Sequence, residues 1–334
     1  MTSDEPVRSR RRWRLIPGRR LTIVITWLLV LAWAGFAVVR IFGWERTWIL
    51  DVAMPFTPYL ALATILPLGL ALALRRWNAL AIAALTAIAL ATVFIPRAFG
   101  QADPGHGPTL RVMSQNMKIG AADPATVVGL VRSHHIDLLA VDEFTPQADD
   151  ALTAAGLTSL LPFSATHPLP GATGSAIYSR YPLSDPGYQN LAGGFGQEYA
   201  TVTVPRALPL VVVAVHTRAP ALAGEQTDWA RSIAQQPAAT PHGAVRMLAG
   251  DFNATFDQKP LRTLLATGYV DVASQLGDGM KTTWPYDGRW IPPVPVTLDH
   301  FFVDPRIGCV SFGTQTVKGT DHRAIFAVVT LPIS

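Results

Sequence analysis

The chain has 334 residues, 49% of them apolar, and a formal net charge of +4. Residues 1–106 hold 12 Lys/Arg against 5 Asp/Glu, whereas residues 107–334 hold 15 against 18. The acidic carboxyl-terminal part argues against a nucleic-acid partner, because non-specific binding to DNA or RNA needs positive charge on the binding domain. A single cysteine, Cys309, excludes an intrachain disulfide.

The amino-terminal third is predicted to be a membrane anchor. Residues 1–20 form a basic tail with seven arginines, and three apolar runs follow at about 21–39, 52–74 and 79–95. A helix needs about 20 apolar residues to cross a bilayer. The excess of arginine before the first run, with Arg75 and Arg76 between the second and third, predicts a cytoplasmic amino terminus. A cleaved signal peptide is the alternative, which the two further runs disfavour.

Three crossings place everything after the third run outside the cytoplasm, so we expect a multi-pass protein of the cell membrane. Residues 96–108 form a linker rich in Gly and Pro, which reaches roughly 45 Å when fully extended. The linker therefore keeps a catalytic domain, residues 109–334, close to the bilayer. This placement favours a substrate in or on the membrane.

Strands and helices alternate irregularly along this domain. Apolar, β-branched runs predict strands over 109–115, 136–141, 175–179, 199–204, 208–215, 245–249, 298–303 and 324–331. Asp123-Pro124 supplies an N-cap and a first-turn proline for a helix to about residue 134, and further helices are predicted over 146–155 and 221–236. The order predicts an α/β fold in which two packed sheets are flanked by helices.

Polar side chains stand where several of these strands end. We expect them to meet at one edge of the sheets, and the residues are Asn116, Glu143, His216, Asp251, Asn253, Asp299, Asp321 and His322. Each alone has a structural alternative, such as a cap, a solvated strand end or a satisfied core histidine. Together, carboxylates, carboxamides and imidazoles suit a hard divalent cation and the hydrolysis of phosphate esters. Mg²⁺ is the expected cofactor, with Mn²⁺ as the alternative.

The metal ligands are predicted from the strand ends. Glu143 is the strongest candidate because it follows a strand that should otherwise be buried. Asn116 offers a neutral oxygen to the same ion or its water, and Asp321 completes the set. Asp142 alternates to the opposite face of the strand and is predicted to be structural.

The catalytic roles fall to five residues. Asp251 is expected to orient the attacking water, and Asn253 to donate to a non-bridging phosphoryl oxygen. His216 and His322 can bind phosphoryl oxygens, or assist the leaving group when protonated. Asp299 is expected to hold one imidazole in its tautomer and raise its pKa. Two arginines, at 180 and 218, are further candidates for phosphate contacts.

The combination of short motifs resembles the endonuclease/exonuclease/phosphatase superfamily, which has the DNase I-like fold. The matching segments are Gln-Asn at 115–116, Glu143, Ser-Arg-Tyr-Pro at 179–182, His216, Gly-Asp-Phe-Asn at 250–253, Leu-Asp-His at 298–300 and Thr-Asp-His at 320–322. The resemblance implies a four-layer α/β sandwich over 108–334 and a metal that is typically Mg²⁺. It gives Asp251 the role of orienting water, Asn253 and the two histidines contacts to the transition state, and Asp299 the role of histidine partner.

The layout of three spans before such a domain also resembles actinobacterial membrane proteins linked to teicoplanin resistance, which are thought to act on undecaprenyl pyrophosphate outside the membrane. The expected function is therefore a membrane-anchored hydrolase of a lipid-linked phosphate or pyrophosphate, with no obligate protein partner. A surface nuclease, a sphingomyelinase-like phosphodiesterase and a non-catalytic domain that binds a phosphorylated envelope lipid remain alternatives. Loops 193–196 and 282–293 carry aromatic residues that suit an acyl chain or simply pack.

Overall fold

The computed structural model describes residues 17–240, 242–289 and 294–334. Most of the predicted basic tail and Trp290 of the loop 282–293 lie outside these residues. Helix α1 (Pro17–Phe42) comes first, and α5 (Trp77–Phe94) ends in a 3₁₀ turn over Ile95–Ala98. Between them lie α2 (Trp48–Ala53), a 3₁₀ turn (Met54–Phe56), α3 (Thr57–Ala63) and α4 (Ile65–Ala73).

Three of these helical stretches are long and apolar enough to cross a membrane: Arg20–Phe42, Trp48–Ala73 and Trp77–Ala98. This confirms the prediction of three apolar helices, although the first and third extend beyond the predicted run at both ends and the second only at its start. The middle stretch is interrupted where new helical segments begin at Met54 and at Thr57, each with a proline, Pro55 or Pro58, as its second residue. Proline lacks the backbone N–H that would continue the preceding helix, so the interruption follows from the sequence.

The rest of the described chain forms an α/β domain. Its strands are β1 (Thr109–Asn116), β2 (Leu138–Asp142), β3 (Phe163–His167), β4 (Ser175–Ser179), β5 (Leu183–Asn190), β6 (Gly196–Val202), β7 (Leu210–His216), β8 (Val245–Asp251), β9 (Val270–Asp271), β10 (Asp299–Val303), β11 (Gly308–Thr316) and β12 (Arg323–Thr330). Its helices are α6 (Pro124–Ser133), α7 (Pro146–Ala154), α8 (Leu157–Leu160), α9 (Gln226–Ala234), α10 (Lys259–Leu265) and α11 (Val272–Gln275).

Two six-stranded mixed sheets stack on each other, in the orders β11-β12-β1-β2-β4-β3 and β5-β6-β7-β8-β10-β9. The core between them contains Val112 and Ile177 from the first sheet and Val212, Met247 and Phe301 from the second. Helices α6 to α8 cover the outer face of the first sheet, and α9 and α10 cover that of the second. The four-layer α/β sandwich predicted from the sequence is confirmed.

Strand pairing places the ends of the central strands side by side. In the first sheet, parallel β1 and β2 align Asn116 with Asp142. In the second, parallel β7 and β8 align His216 with Asp251, and antiparallel β10 sets Asp299 opposite Asp251. Since the two sheets pack face to face, these ends meet at one edge of the sandwich, which is where the polar side chains were expected to gather.

Residues 96–108 pack along the domain rather than extending away from it. The Leu331 backbone N–H donates to the Pro108 carbonyl at 2.9 Å, and the Cys309 N–H donates to the Asp103 carbonyl at 2.9 Å. A Cβ atom at Gly107 would lie 1.7 Å from the Leu331 carbonyl oxygen, so only glycine allows this approach. The linker therefore fixes the domain close to the end of α5.

A buried aspartate joins the apolar helices to the domain. Arg40, at the end of α1, donates from Nε to Asp257 Oδ1 at 2.8 Å. Arg97, at the end of the third apolar stretch, donates from Nη1 and Nη2 to the two oxygens of the same carboxylate at 2.9 and 2.7 Å. Asp257 is thus held by two helices at once, and we call these three residues the Asp257 junction.

Candidate active site

Asn116 and Glu143 stand at the ends of neighbouring strands and meet Asp251 of the second sheet. Asn116 Nδ2 donates to Glu143 Oε1 at 3.0 Å and to Asp251 Oδ2 at 3.1 Å. Glu143 directly follows β2 with a φ of 53°, a left-handed conformation that turns its side chain toward the second sheet. Its Oε2 accepts from the Ile119 N–H at 2.8 Å, which fixes the carboxylate.

Asp251 lies at the centre of the cluster and is buried. Its Oδ1 accepts from the Asn253 backbone N–H at 2.8 Å, and its backbone N–H donates to Asp142 Oδ2 at 3.0 Å. Burial, and then the negative charges of Asp299 and Glu143, raise the pKa of Asp251 to about 8, although His322 opposes this rise. The carboxylates therefore repel one another across the two sheets.

Asp142 supports the site from beneath. It is fully buried, and burial together with the charge of Asp251 raises its pKa well above the ordinary value. Gly250 makes room for it, because a Cβ atom there would lie 2.1 Å from the Val215 carbonyl oxygen and 2.8 Å from Asp142 Oδ2. Asp142 thus positions the backbone of Asp251, a structural role.

His322 and Asp299 form a pair beside Asp251. The Nδ1 atom of His322 lies 2.9 Å from Asp299 Oδ2, and its Nε2 lies 3.6 Å from Asp251 Oδ2. Burial alone would lower the pKa of His322, but the charges of Asp299 and Asp251 outweigh it and raise that pKa to about 10. His322 is consequently an imidazolium at neutral pH, with Asp299 as its partner.

His216 differs from His322 in its protonation. Its Nδ1 lies 3.0 Å from the Ala172 carbonyl, which can only accept, so Nδ1 carries the proton. Burial lowers the pKa of His216 despite the opposing charge of Glu143, and the ring is therefore neutral. Its Nε2 lone pair then faces Glu143 Oε1 and Asp251 Oδ2, each at 3.8 Å.

Asn253 turns back onto the cluster from the loop after β8. It adopts a φ of 47°, and its Nδ2 donates to the Thr217 carbonyl at 2.8 Å and to Asp251 Oδ2 at 3.3 Å. The structure thus brings seven of the eight residues singled out in the sequence to one place. These are Asn116, Glu143, His216, Asp251, Asn253, Asp299 and His322.

Asp321 is the exception. Its carboxylate accepts from Trp284 Nε1 at 2.9 Å and forms an ion pair with Arg289, while Lys118 Nζ lies 3.8 Å away. These cations hold the Asp321 carboxylate at the rim, where its charge still acts on His322, and none of these contacts joins it to Glu143. Its role as a metal ligand stays a prediction. Lys118 and Arg289 are rim residues that were not predicted. The only signals for them in the sequence are that Lys118 lies two residues after Asn116 and that Arg289 lies within the loop 282–293.

Asn116 also departs from its expected orientation. Its Oδ1 accepts from the Lys118 backbone N–H at 2.8 Å, which leaves Nδ2 to face the carboxylates. Asn116 therefore presents a donor rather than the metal-binding oxygen that we expected. The physical reason is local, because the turn after β1 needs that oxygen to hold its backbone.

The two arginine candidates lie apart from the cluster. Arg180 follows β4 at the end opposite the site and pairs with Asp137 at 3.2 Å. Arg218 is nearer, but its guanidinium pairs with Glu225 and reaches the Gly193 carbonyl at 3.4 Å. The loop 193–196 itself does reach the site, since the Phe195 ring meets His216 edge-on with centroids 4.8 Å apart.

The donor set fits a hard divalent cation. Glu143 Oε1, Asp251 Oδ2 and the His216 lone pair converge, and carboxylate oxygens are the ligands that Mg²⁺ prefers. Asp251, Asp299 and His322 also place ligand atoms within 4.8 Å of one another. As an imidazolium, His322 has no lone pair to offer a cation, and Asp299 is engaged by the His322 ring. Glu143 and Asp251 are therefore the residues that would hold the ion.

Known proteins share the sequence pattern and the fold of this domain. The sequence profile of the Endonuclease/Exonuclease/phosphatase family matches residues 113–322. An endonuclease/exonuclease/phosphatase from Beutenbergia cavernae is 18% identical with a TM-score of 0.53, covering 67% of this chain and 72% of that chain. D. rerio TDP2 complexed with a single-strand DNA product is 16% identical with a TM-score of 0.53, covering 66% and 99%.

A 3′ phosphatase from Neisseria bound to a product DNA hairpin is 17% identical with a TM-score of 0.51, covering 65% of this chain and 98% of that chain. At such identities these likenesses show a shared fold. A search of curated protein sequences gives no significant match.

Proposed function

The chain belongs to the endonuclease/exonuclease/phosphatase family, and from this premise we propose that it is a divalent-metal-dependent phosphohydrolase anchored in the cell membrane. The substrate that we propose is a lipid-linked phosphate or pyrophosphate, of the polyprenyl type, on the side of the membrane away from the cytoplasm. A role in the cell envelope, including glycopeptide resistance, is part of the same proposal.

One observation carries the choice of a lipid substrate: the catalytic loop is bonded to the apolar helices. Asp251, Asn253 and Asp257 belong to one short segment, and Asp257 is held by Arg40 and Arg97 at the ends of two candidate spans. If those helices cross a bilayer, the polar cluster lies beside the membrane surface. A phosphate attached to a lipid would reach it without leaving the membrane.

Further bonds tie the middle apolar stretch to loops beside the site. Trp48 Nε1 donates to the Pro220 carbonyl at 3.1 Å, and the Tyr59 hydroxyl donates to the Pro295 carbonyl at 2.6 Å. These contacts support a fixed arrangement of domain and helices rather than a domain on a loose tether.

The residues suggest how the chain would hydrolyse a phosphate. Glu143 and Asp251 would hold Mg²⁺ or Mn²⁺. The bound cation would polarise the phosphoryl oxygens and reduce the electrostatic repulsion between the phosphate and the attacking water. The Asp251 carboxylate is fixed by the Asn253 backbone N–H at the centre of the cluster, which suits a group that would align the attacking water and accept its proton. The imidazolium of His322 stabilises negative charge that develops on the phosphoryl group.

The remaining groups position the reactants. Asp299 keeps His322 protonated and fixes its ring, while Asn253 offers its amide group beside Asp251. His216 is neutral, so its Nε2 can accept a proton or a hydrogen bond next to Glu143. Each of these roles requires the two sheets to keep their ends together.

Nuclease activity is the principal alternative, since two similar structures contain product DNA. The charge of the domain disfavours nuclease activity. Residues 107–334 are net acidic, and the rim cations Lys118 and Arg289 are engaged by Asp287 and Asp321. The described cations at the rim are therefore already paired, which leaves less positive charge to bind a DNA backbone.

The test is product analysis with the purified full chain in detergent. Polyprenyl pyrophosphate, polyprenyl phosphate, a choline phospholipid and a supercoiled plasmid are each incubated with Mg²⁺, with Mn²⁺ and with a chelator. We expect metal-dependent phosphate release from a polyprenyl substrate, lost in Asp251→Asn and kept in Asp228→Asn, which alters an exposed helix pair with Arg231. Plasmid cleavage without phosphate release from lipids would establish the nuclease alternative instead.

Orientation is tested separately with a reporter fused after Ser334. A reporter that folds only outside the cytoplasm should be active there. Activity of a cytoplasmic reporter at the same position would refute the location while leaving the chemistry of the site intact.

A further inference from the structure

An apolar cleft of about 650 Å³ lies between the middle apolar stretch and the loops around the site. Val52, Pro55 and Phe56 form one wall, and Pro220, Ala221 and other loop residues form the opposite one. Its volume falls within the roughly 300–1,000 Å³ that is typical of small-molecule sites. The cleft is thus large enough for a ligand and lined mainly by hydrocarbon.

One end of the cleft is the active site itself. Asn253 and Trp284 both line it. Asn253 Nδ2 lies 3.3 Å from Asp251 Oδ2, and the Trp284 ring lies beside His322 with centroids 6.4 Å apart. If an apolar chain occupies the cleft, a polar group at its end would therefore lie beside the Asp251 carboxylate.

The other wall belongs to a helix that can cross a membrane. Val52 and Pro55 lie within the candidate span Trp48–Ala73. Neighbouring apolar residues on the same stretch, Ile49 at 69% and Leu62 at 70%, are exposed to the surroundings. The cleft is consequently continuous with the part of the surface that hydrocarbon would cover in a bilayer.

We infer that this cleft binds the hydrocarbon chain of the phosphate-bearing substrate, at the proximal end of the chain, while its phosphate reaches Asp251. The inference rests on the proposed function and specifies how the substrate is chosen. A chain that enters the cleft leaves the bilayer only at its phosphate end, because one wall is itself part of a candidate span. The choice of substrate would thus depend on its hydrocarbon chain as well as on its phosphate.

The energetics make chain length the quantity to measure. Each methylene removed from water contributes about fourfold in affinity, whereas transfer from bilayer to cleft contributes far less. The affinity for a water-soluble ester should therefore rise with each carbon added to its short chain until the cleft is filled. Beyond that length, further carbons should make little difference.

Two substitutions fill the cleft from opposite walls. Ala221→Trp adds bulk from an exposed loop position, and Val52→Trp adds it from the helix, where the side chain is 37% exposed. Their matched controls are Ala154→Trp, at an exposed position on α7, and Val38→Trp, at a position on α1 that is 41% exposed. All four positions are exposed, so melting temperatures in detergent should stay close to that of the unmodified chain.

Binding is tested without relying on turnover. A hexadecylphosphonate that carries a photoreactive diazirine on its chain is irradiated with the full protein, and the adducts are located by mass spectrometry. We expect adducts on the cleft walls, reduced at least tenfold by Ala221→Trp and by Val52→Trp and retained in both controls. Adducts confined to outward-facing positions such as Leu28 and Leu85 would overturn the inference, as would equal losses in the controls.

Kinetics separate this inference from the proposed function. If the cleft selects the chain, both cleft-filling variants lower kcat/KM for a long-chain phosphate at least tenfold and leave a methyl phosphate ester unchanged. Equal kcat/KM for long and short chains in the unmodified protein would reject the chain site but keep the hydrolase. Cleft adducts with no phosphate release from any ester would keep the chain site and reject the hydrolase.

Discussion

Replacing Asp257 with Asn should loosen the attachment of the domain to its apolar helices. The Asp257 side chain is 1% exposed, and its two partners Arg40 and Arg97 are 5% and 12% exposed. The substitution keeps the shape of the side chain and removes its charge. Two buried guanidinium groups would then face each other without a counter-charge.

The magnitude follows from that burial. Removing one partner of a buried ion pair costs about 3–5 kcal/mol, because the remaining charge stays desolvated. A domain of about this size loses roughly 2–4 °C of melting temperature per kcal/mol. We therefore expect Asp257→Asn to lower Tm by about 6–20 °C, toward the lower end because Arg97 keeps some access to water.

Thermal unfolding of the detergent-solubilised protein measures this loss. A double-mutant cycle with Arg97→Gln isolates the pair, since the second substitution should cost much less once Asp257 is already neutral. Asp228→Asn is the control, because its exposed pair with Arg231 should contribute about 0–1 kcal/mol. A Tm for Asp257→Asn that matches this control would refute the reasoning about the buried junction.

Three further predictions concern charge in the domain. Asp251→Asn should lower hydrolysis at least about 100-fold with little loss of stability, measured as kcat/KM and Tm, and retention of activity would exclude Asp251 as the proton acceptor. Burial raises the pKa of Glu198 to about 7 from an ordinary 4.5. The folded chain thus keeps a proton that the unfolded chain releases, so stability falls as pH rises between these values, and Glu198→Gln should raise Tm at pH 8 but not at pH 4. Mg²⁺ must displace the proton of Asp251, whose pKa is about 8. Bound Mg²⁺ stabilises the folded chain by about 2.7 kcal/mol at 100 times Kd. At a fixed Mg²⁺ concentration, the rise in Tm should therefore grow as pH increases toward 9, and a pH-independent rise would place the ion elsewhere.

The sequence predicted all the interior strands of both sheets and none of their edge strands. The interior strands, such as β2 and β7, are continuous apolar runs because both of their faces are buried. The four edges are β11, β3, β5 and β9. β5 contains Pro186 and Gly187, and β11 contains two glycines and several polar residues, which suits a strand paired on one side only. The hydrophobic pattern therefore predicted the buried interior strands but gave no signal for the edge strands.

The composition of the site was predictable, but its detailed hydrogen bonding was not. The carboxyl ends of parallel neighbouring strands lie at the same edge of a sheet. Glu143, His216 and Asp251 could therefore be placed together from their positions at strand ends alone. Which atom of Asn116 faces the site depends on the Lys118 N–H, and whether Asp321 is free depends on Arg289, a residue far from the strands. Such contacts arise from loop conformation, which apolar periodicity does not encode.

The junction with the apolar helices would, on the proposed function, make substrate choice depend on a part of the chain outside the shared fold. The likeness to the family begins within β1, so helices α1 to α5 lie outside it. Yet the loop that follows Asp251 contacts these helices through Asp257, and the apolar cleft takes one wall from each part. In the sequence, Arg40 and Arg97 look like ordinary flanking charges of membrane spans. Their pairing with Asp257 instead ties these helices to the loop after Asp251. If the proposed function is correct, the same sheets joined to different apolar helices should act on a different phosphate.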